Sequence, residues 1–96
     1  MAEKKLRESD IEDRVTRYAQ SKGFLVYKFT SPARRGVPDR LFIAPNGFHF
    51  YIEFKAPGAK PTPVQEREHA RMRTNKCEVY VCDDVDTGKF IVNIHA

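Results

Sequence analysis

Gly36 to Lys55 reads GVPDRLFIAPNGFHFYIEFK, two short extended runs joined by a turn. In the second run Phe48, Phe50, Ile52 and Phe54 alternate with His49, Tyr51, Glu53 and Lys55. Side chains on a strand alternate between faces, so the first four share one face and Glu53 shares the other with Lys55. Neither residue type is common inside a sheet unless paired. In the first run Asp39 follows Pro38, which cannot donate to a ladder and favours a strand start. A two-residue Asn46-Gly47 turn would set Asp39 opposite Phe54, on the wrong face. A three-residue turn or a bulge shifts the pairing by one and sets Asp39 opposite Glu53, at a Cβ separation of about 4.5–5.5 Å. The spacing predicts that shift, although Asn-Gly usually marks the tighter turn.

Two carboxylates so placed repel by about 4 kcal/mol at ~4 Å and an effective dielectric of ~20. A divalent cation between them reverses the sign. Oxygen ligands suit Mg²⁺ or Mn²⁺, and Mg²⁺ keeps several waters and takes one or two carboxylates. Such an ion stabilises charge on a phosphate and acidifies water, and Lys55 beside it could orient that water or balance the phosphate. Spacing alone leaves the plainer alternative open: Asp39 paired with Arg40 or Arg35, and Glu53–Lys55 a surface pair.

Outward from this hairpin, a helix is predicted from about Ser9 to Lys22, with Ile11, Val15, Tyr18 and Ala19 at helical spacing, Ser9 and Glu12 forming a capping box, and Gly23 as the stop. Residues 1–7 are polar and expected to fray. FLVYKF, 24–29, reads as a strand and 30–38 as a loop carrying Arg34 and Arg35. Strands follow at 39–44 and 48–55 around the turn Pro45-Asn46-Gly47. After a loop at 56–61, Thr62, Pro63 and Gln65 are the N-cap, first-turn proline and capping-box partner of a second helix ending near Lys76. Two final strands are expected at 78–82 and 90–94, joined by the acidic turn DDVDTGK. The predicted order is α-β-β-β-α-β-β: an α/β chain with a mixed sheet of about five strands flanked by two helices.

The 96 residues fit a single domain, 1–96, with a small core that leaves room for a partner subunit. Seventeen Lys and Arg against 13 Asp and Glu give a net charge of +4, which favours contact with phosphate but also serves solubility. No apolar run approaches the ~20 residues of a membrane span, and the N-terminus lacks a secretory segment, so no membrane partner and a cytoplasmic location are expected. Cys77 and Cys82 lack the partners of a zinc site and read as reduced packing residues. His49 and His69 lack a metal-binding spacing and read as ordinary surface histidines; His95 is terminal.

GVPDRLFI followed by YIEFKAPGAKPTPVQ resembles the virus-type replication-repair nuclease (VRR-NUC) domain of the PD-(D/E)xK nuclease superfamily. The likeness spans nearly the whole chain, from a glutamate-bearing first helix through the YKF strand and SPARRGVPDR to the helix opened by a PxQ segment. It implies a restriction-endonuclease-like core and a Mg²⁺- or Mn²⁺-dependent DNA endonuclease with no small-molecule cofactor. It further implies metal binding by Asp39, Glu53 and the backbone carbonyl of Phe54, and a catalytic role for Lys55. A glutamate of the first helix, Glu12 or else Glu8, would approach the metal. Gln65 matches the family's glutamine on the second helix. Candidate DNA contacts are Lys28, Arg34, Arg35, Arg40 and Lys60, with Arg67, Arg71 and Arg73 on the second helix. Stand-alone members are small homodimers of phages and bacteria that act on branched DNA such as four-way junctions. The alternative is a non-catalytic nucleic-acid-binding module of the same fold.

Overall fold

The hairpin at the centre of the chain takes the wider turn. In this computed structural model, which describes residues 6–96, the N–H of Gly47 donates to the carbonyl of Ala44 at 2.8 Å, and Ala44 N–H donates to Phe48 at 2.9 Å. Pro45, Asn46 and Gly47 therefore form a three-residue loop. Gly47 adopts φ +89°, the left-handed position such a loop requires. The Asn46 side chain accepts from Phe48 N–H at 3.0 Å and fixes the loop from within. The resulting register pairs Arg40 with Ile52 and Phe42 with Phe50.

Four strands form one sheet in the order β1-β2-β3-β4: β1 Leu25–Lys28, β2 Arg40–Ile43, β3 His49–Phe54 and β4 Val79–Cys82. The first two pairings are antiparallel and β3–β4 is parallel. A parallel neighbour needs a crossover, and helix α2, Pro63–Thr74, supplies it. Helix α1, Glu8–Ser21, and helix α3, Val85–His95, pack on the other face of the sheet. Their core consists of Ile11, Val15 and Ala19 from α1, Ile91 and Val92 from α3, and Phe42, Phe50, Ile52 and Phe54 from the strands, all buried. The predicted aromatic face of β3 is thus the core face, except that Phe48, at the turn, is exposed. Truncating one such buried Phe to Ala costs about 3–5 kcal/mol.

Several sequence expectations are corrected. Residues 90–94 are not a fifth strand; they lie in α3, so the sheet has four strands and the described residues form three helices. The acidic stretch read as a turn starts this helix: Asp84 accepts from Thr87 N–H at 2.7 Å and from the Thr87 hydroxyl at 2.7 Å. Gly88, taken as a turn residue, lets α3 approach α1 so closely that a Cβ there would collide with Val15. The first capping box is also displaced. Arg7 is the N-cap, and its N–H donates to Asp10 at 2.9 Å rather than Ser9 pairing with Glu12. Of the segment expected to fray, residues 1–5 lie outside the described residues. Cys77 and Cys82 are free, as expected, with Cys82 buried.

Candidate active site

One step beyond the Arg40–Ile52 pair, the register sets Asp39 opposite Glu53 on the face away from α1 and α3. Asp39 is pinned at the mouth of β2. Its carbonyl accepts from Phe29 N–H at 2.9 Å, and its carboxylate accepts from Phe54 N–H at 2.8 Å. Glu53 is only 1% exposed. Its Oε2 lies 3.6 Å from Nζ of Lys55 and accepts from Nε2 of Gln65 at 3.3 Å. Burial, and then the neighbouring Asp39 carboxylate, push the Glu53 pKa up to about 8 against a smaller opposing pull from Lys55. The third strand thus carries a carboxyl that holds its proton at neutral pH unless a cation replaces it.

Gln65 closes the predicted capping box and also reaches Glu53. Its Oε1 accepts from Thr62 N–H at 2.9 Å and its N–H donates to Thr62 Oγ1 at 3.2 Å, which closes the capping box of α2. Its Nε2 is left to reach Glu53. The cap therefore fixes where the amide points.

Sequence reasoning missed His69, which is not a surface residue. It lies on α2 one turn beyond Gln65, 1% exposed, with Nε2 3.6 Å from Oε1 of Glu53. Neither of these two atoms has a hydrogen-bond partner. Burial foremost, with Arg73 and Lys55 assisting, lowers the imidazole pKa and keeps the ring neutral. The available signal was its position four residues after Gln65, which turns both toward one side of the helix.

The structure does not bring Glu12 together with Asp39 and Glu53. Glu12 accepts from Arg40 Nε at 2.6 Å and faces Lys28 Nζ at 3.8 Å. These partners stand on the α1 side of the sheet, because Arg40 shares the face of its partner Ile52. Glu8 is the first-helix acid whose charge reaches Glu53 and adds to its raised pKa. Among the predicted DNA contacts, Arg40 is thus engaged internally, whereas Lys28 is exposed and only faces Glu12. Arg34 is paired with Glu68, whereas Arg35 and Lys60 are exposed. Arg73 donates to the Val79 carbonyl at 2.7 Å.

Among the described residues no group of three or more His, Cys, Asp or Glu side chains surrounds a point that could hold a metal ion. A site at Asp39 and Glu53 is therefore sparse. It still fits a hard cation that takes one or two carboxylates and keeps its waters. The unpartnered, buried Oε1 of Glu53 is an oxygen without another use in the fold.

No family model matches the chain. A phage protein described as "Putative nuclease p44", from Acyrthosiphon pisum secondary endosymbiont phage 1, is 46% identical over 86 residues, covering 90% of this chain and 92% of that protein. A solved structure described as a VRR_NUC domain superposes with a TM-score of 0.84 at 29% identity, covering 93% of this chain and 97% of the other. The chain belongs to the VRR-NUC family of PD-(D/E)xK nucleases. The mixed α/β sheet with helices on both faces is the restriction-endonuclease-like architecture of that family. Among the described residues of this VRR-NUC chain, no helix is long and apolar enough to cross a membrane.

Proposed function

We propose that this VRR-NUC protein hydrolyses DNA phosphodiester bonds with Mg²⁺ or Mn²⁺, acts on branched DNA, and works as a homodimer in the cytoplasm. The observation that carries the catalytic part is the facing of Asp39 and Glu53 across β2 and β3 with Lys55 3.6 Å from Glu53. Asp39, Glu53 and the Phe54 carbonyl would hold the ion. When bound, it supplies positive charge against the phosphate and lowers the pKa of water.

The chain's own groups then have separate tasks. Phe54 N–H fixes Asp39, and Gln65 fixes Glu53, so the two acids meet the ion in one orientation. Both acids are ionised in that state, so the Glu53 proton must leave. Lys55, just past the end of β3 with Nζ 3.6 Å from Glu53, orients the attacking water and balances the phosphate charge, and the water's proton passes to bulk solvent as the new P–O bond forms. The leaving oxygen departs as the old P–O bond breaks. A C2 dimer would present two such sites to two strands.

The test is cleavage of duplex, flap, splayed and four-way DNA in Mn²⁺ by the wild type and Asp39→Asn. Cleavage by the wild type alone, strongest on a branched substrate, is the expected result. Equal products from both proteins would overturn the catalytic assignment. Binding without cleavage by either would leave the non-catalytic DNA-binding module.

A further inference from the structure

On the α2 side of the molecule, the loop that leads into Asp39 and the outer face of α2 enclose a groove of about 460 Å³. Arg34 and Arg35 line it from the loop, and Arg67 and Arg71 from the helix. One carboxylate, Glu68, lies among the four guanidinium groups and is buried, at 6% exposure. Its Oε1 accepts from Arg34 Nε at 3.0 Å and Nη2 at 2.9 Å, and it faces Arg71 Nε at 3.5 Å. The side chains of Arg35 and Arg67 are exposed and have no hydrogen bond or ion pair among the described residues. The groove therefore carries two strapped and two free cations against one anion.

We propose that this groove is a backbone-phosphate subsite for the DNA strand that runs into the active site, with Glu68 as the strut that aims Arg34 and Arg71. The inference rests on the nuclease reading for the strand's destination, but not for its chemistry. Guanidinium groups offer a planar fork matched to phosphate oxygens, and a strapped arginine has less freedom to lose on binding. Both walls of the groove belong to elements that also hold the catalytic acids. The loop ends at Asp39, and α2 carries Gln65 to Glu53. Gly36 locks the two walls together: at φ +85° it lies so close to α2 that a Cβ would stand 2.7 Å from the Val64 carbonyl. A phosphate seated in the groove is therefore held in register with the bond to be cut.

A second basic hollow is lined by Arg14, Arg17 and Lys89, on the α1–α3 side of the sheet. It shares no element with Asp39 or Glu53. It serves as the control for net charge, since Arg14 and Arg17 can be removed at the same cost of two positive charges.

The experiment is fluorescence anisotropy with a fluorescein-labelled forked DNA in EDTA, so that binding is read without cleavage. Arg35→Ala/Arg67→Ala is expected to weaken binding about tenfold and to lower the slope of log affinity against log salt by about one to two. Arg14→Ala/Arg17→Ala is expected to change affinity no more than about twofold. Equal losses in the two double variants would overturn the subsite and leave a generic effect of charge. Glu68→Gln is expected to weaken binding although it removes a negative charge. Tighter binding would overturn the strut. Inorganic phosphate is expected to compete no better than sulfate at equal ionic strength. Selective displacement by phosphate would mean a site for free phosphate instead of a strand. A nuclease that cleaves but shows no difference between the double variants refutes the groove alone. Loss of cleavage in Asp39→Asn with the groove effect intact separates the two sites.

Discussion

The backbone N–H of Phe54 donates to the carboxylate of Asp39 at 2.8 Å, so the acid of one strand is fastened to the residue that follows the acid of the next. Asp39→Asn keeps an acceptor there and removes a charge from beside Glu53. It should fold, melt in EDTA at or slightly above the wild-type temperature, and lose cleavage. Asp39→Ala leaves the Phe54 N–H without its partner, at a cost of about 1–3 kcal/mol. With Glu53 protonated at neutral pH there is no acid–acid repulsion to relieve in either variant, so a melt of Asn against Ala isolates the hydrogen bond.

The Glu53 pKa of about 8 gives metal-free stability a definite slope. Below about 4.5 the carboxyl is protonated in both folded and unfolded chains, and its contribution is fully present. Between about 4.5 and 8 the unfolded chain releases the proton while the folded chain keeps it, so rising pH favours unfolding. At about 1.4 kcal/mol per pH unit this group alone removes roughly 3–5 kcal/mol across that window. Urea melts in EDTA at successive pH values should show the decline. Glu53→Gln should flatten it.

The same proton couples to the metal. A carboxylate that must ionise to bind a cation makes affinity rise with pH until the proton is already gone. Apparent Mn²⁺ affinity should climb from pH 6 and level off a little above pH 8. Near neutrality, calorimetry in buffers of different ionisation enthalpy should find close to one proton released per site. A buffer-independent enthalpy at pH 7 would contradict a protonated Glu53.

Gly36→Ala should be costly in a way its small size does not suggest. The new methyl would press on the Val64 backbone, and the left-handed φ of +85° disfavours any side chain. A loss of about 2–4 kcal/mol is expected, measured by denaturant melts. Cleavage should fall more than stability at permissive temperature, because the clash separates the loop entering Asp39 from the helix carrying Gln65.

The hairpin's shifted register was legible only because the meeting of two acids required it; period-two alternation put Glu53 and Lys55 on one face and left the register open. Asn46-Gly47 alone argues for the tighter turn, and the structure resolves that conflict with Gly47 in the left-handed position. The last helix was not legible. IVNI has the β-branched content of a strand, and Gly88 looks like punctuation. Only the closeness of α1 shows why a glycine belongs inside α3. His69 was hidden for a related reason. Its burial depends on α2 lying against the Glu53 face, which a local spacing rule does not reveal. Glu12 shows the converse case. It sits on the expected helix, but Arg40 points to the α1 side of the sheet and takes its carboxylate.

Anomalous diffraction from crystals grown with Mn²⁺ tests the shared-ion geometry most directly. One peak within bonding distance of both the Asp39 and Glu53 carboxylates, with Lys55 alongside, is the predicted map. An ordered pair of carboxylates with no peak between them at saturating Mn²⁺, or a peak bound elsewhere, would contradict it.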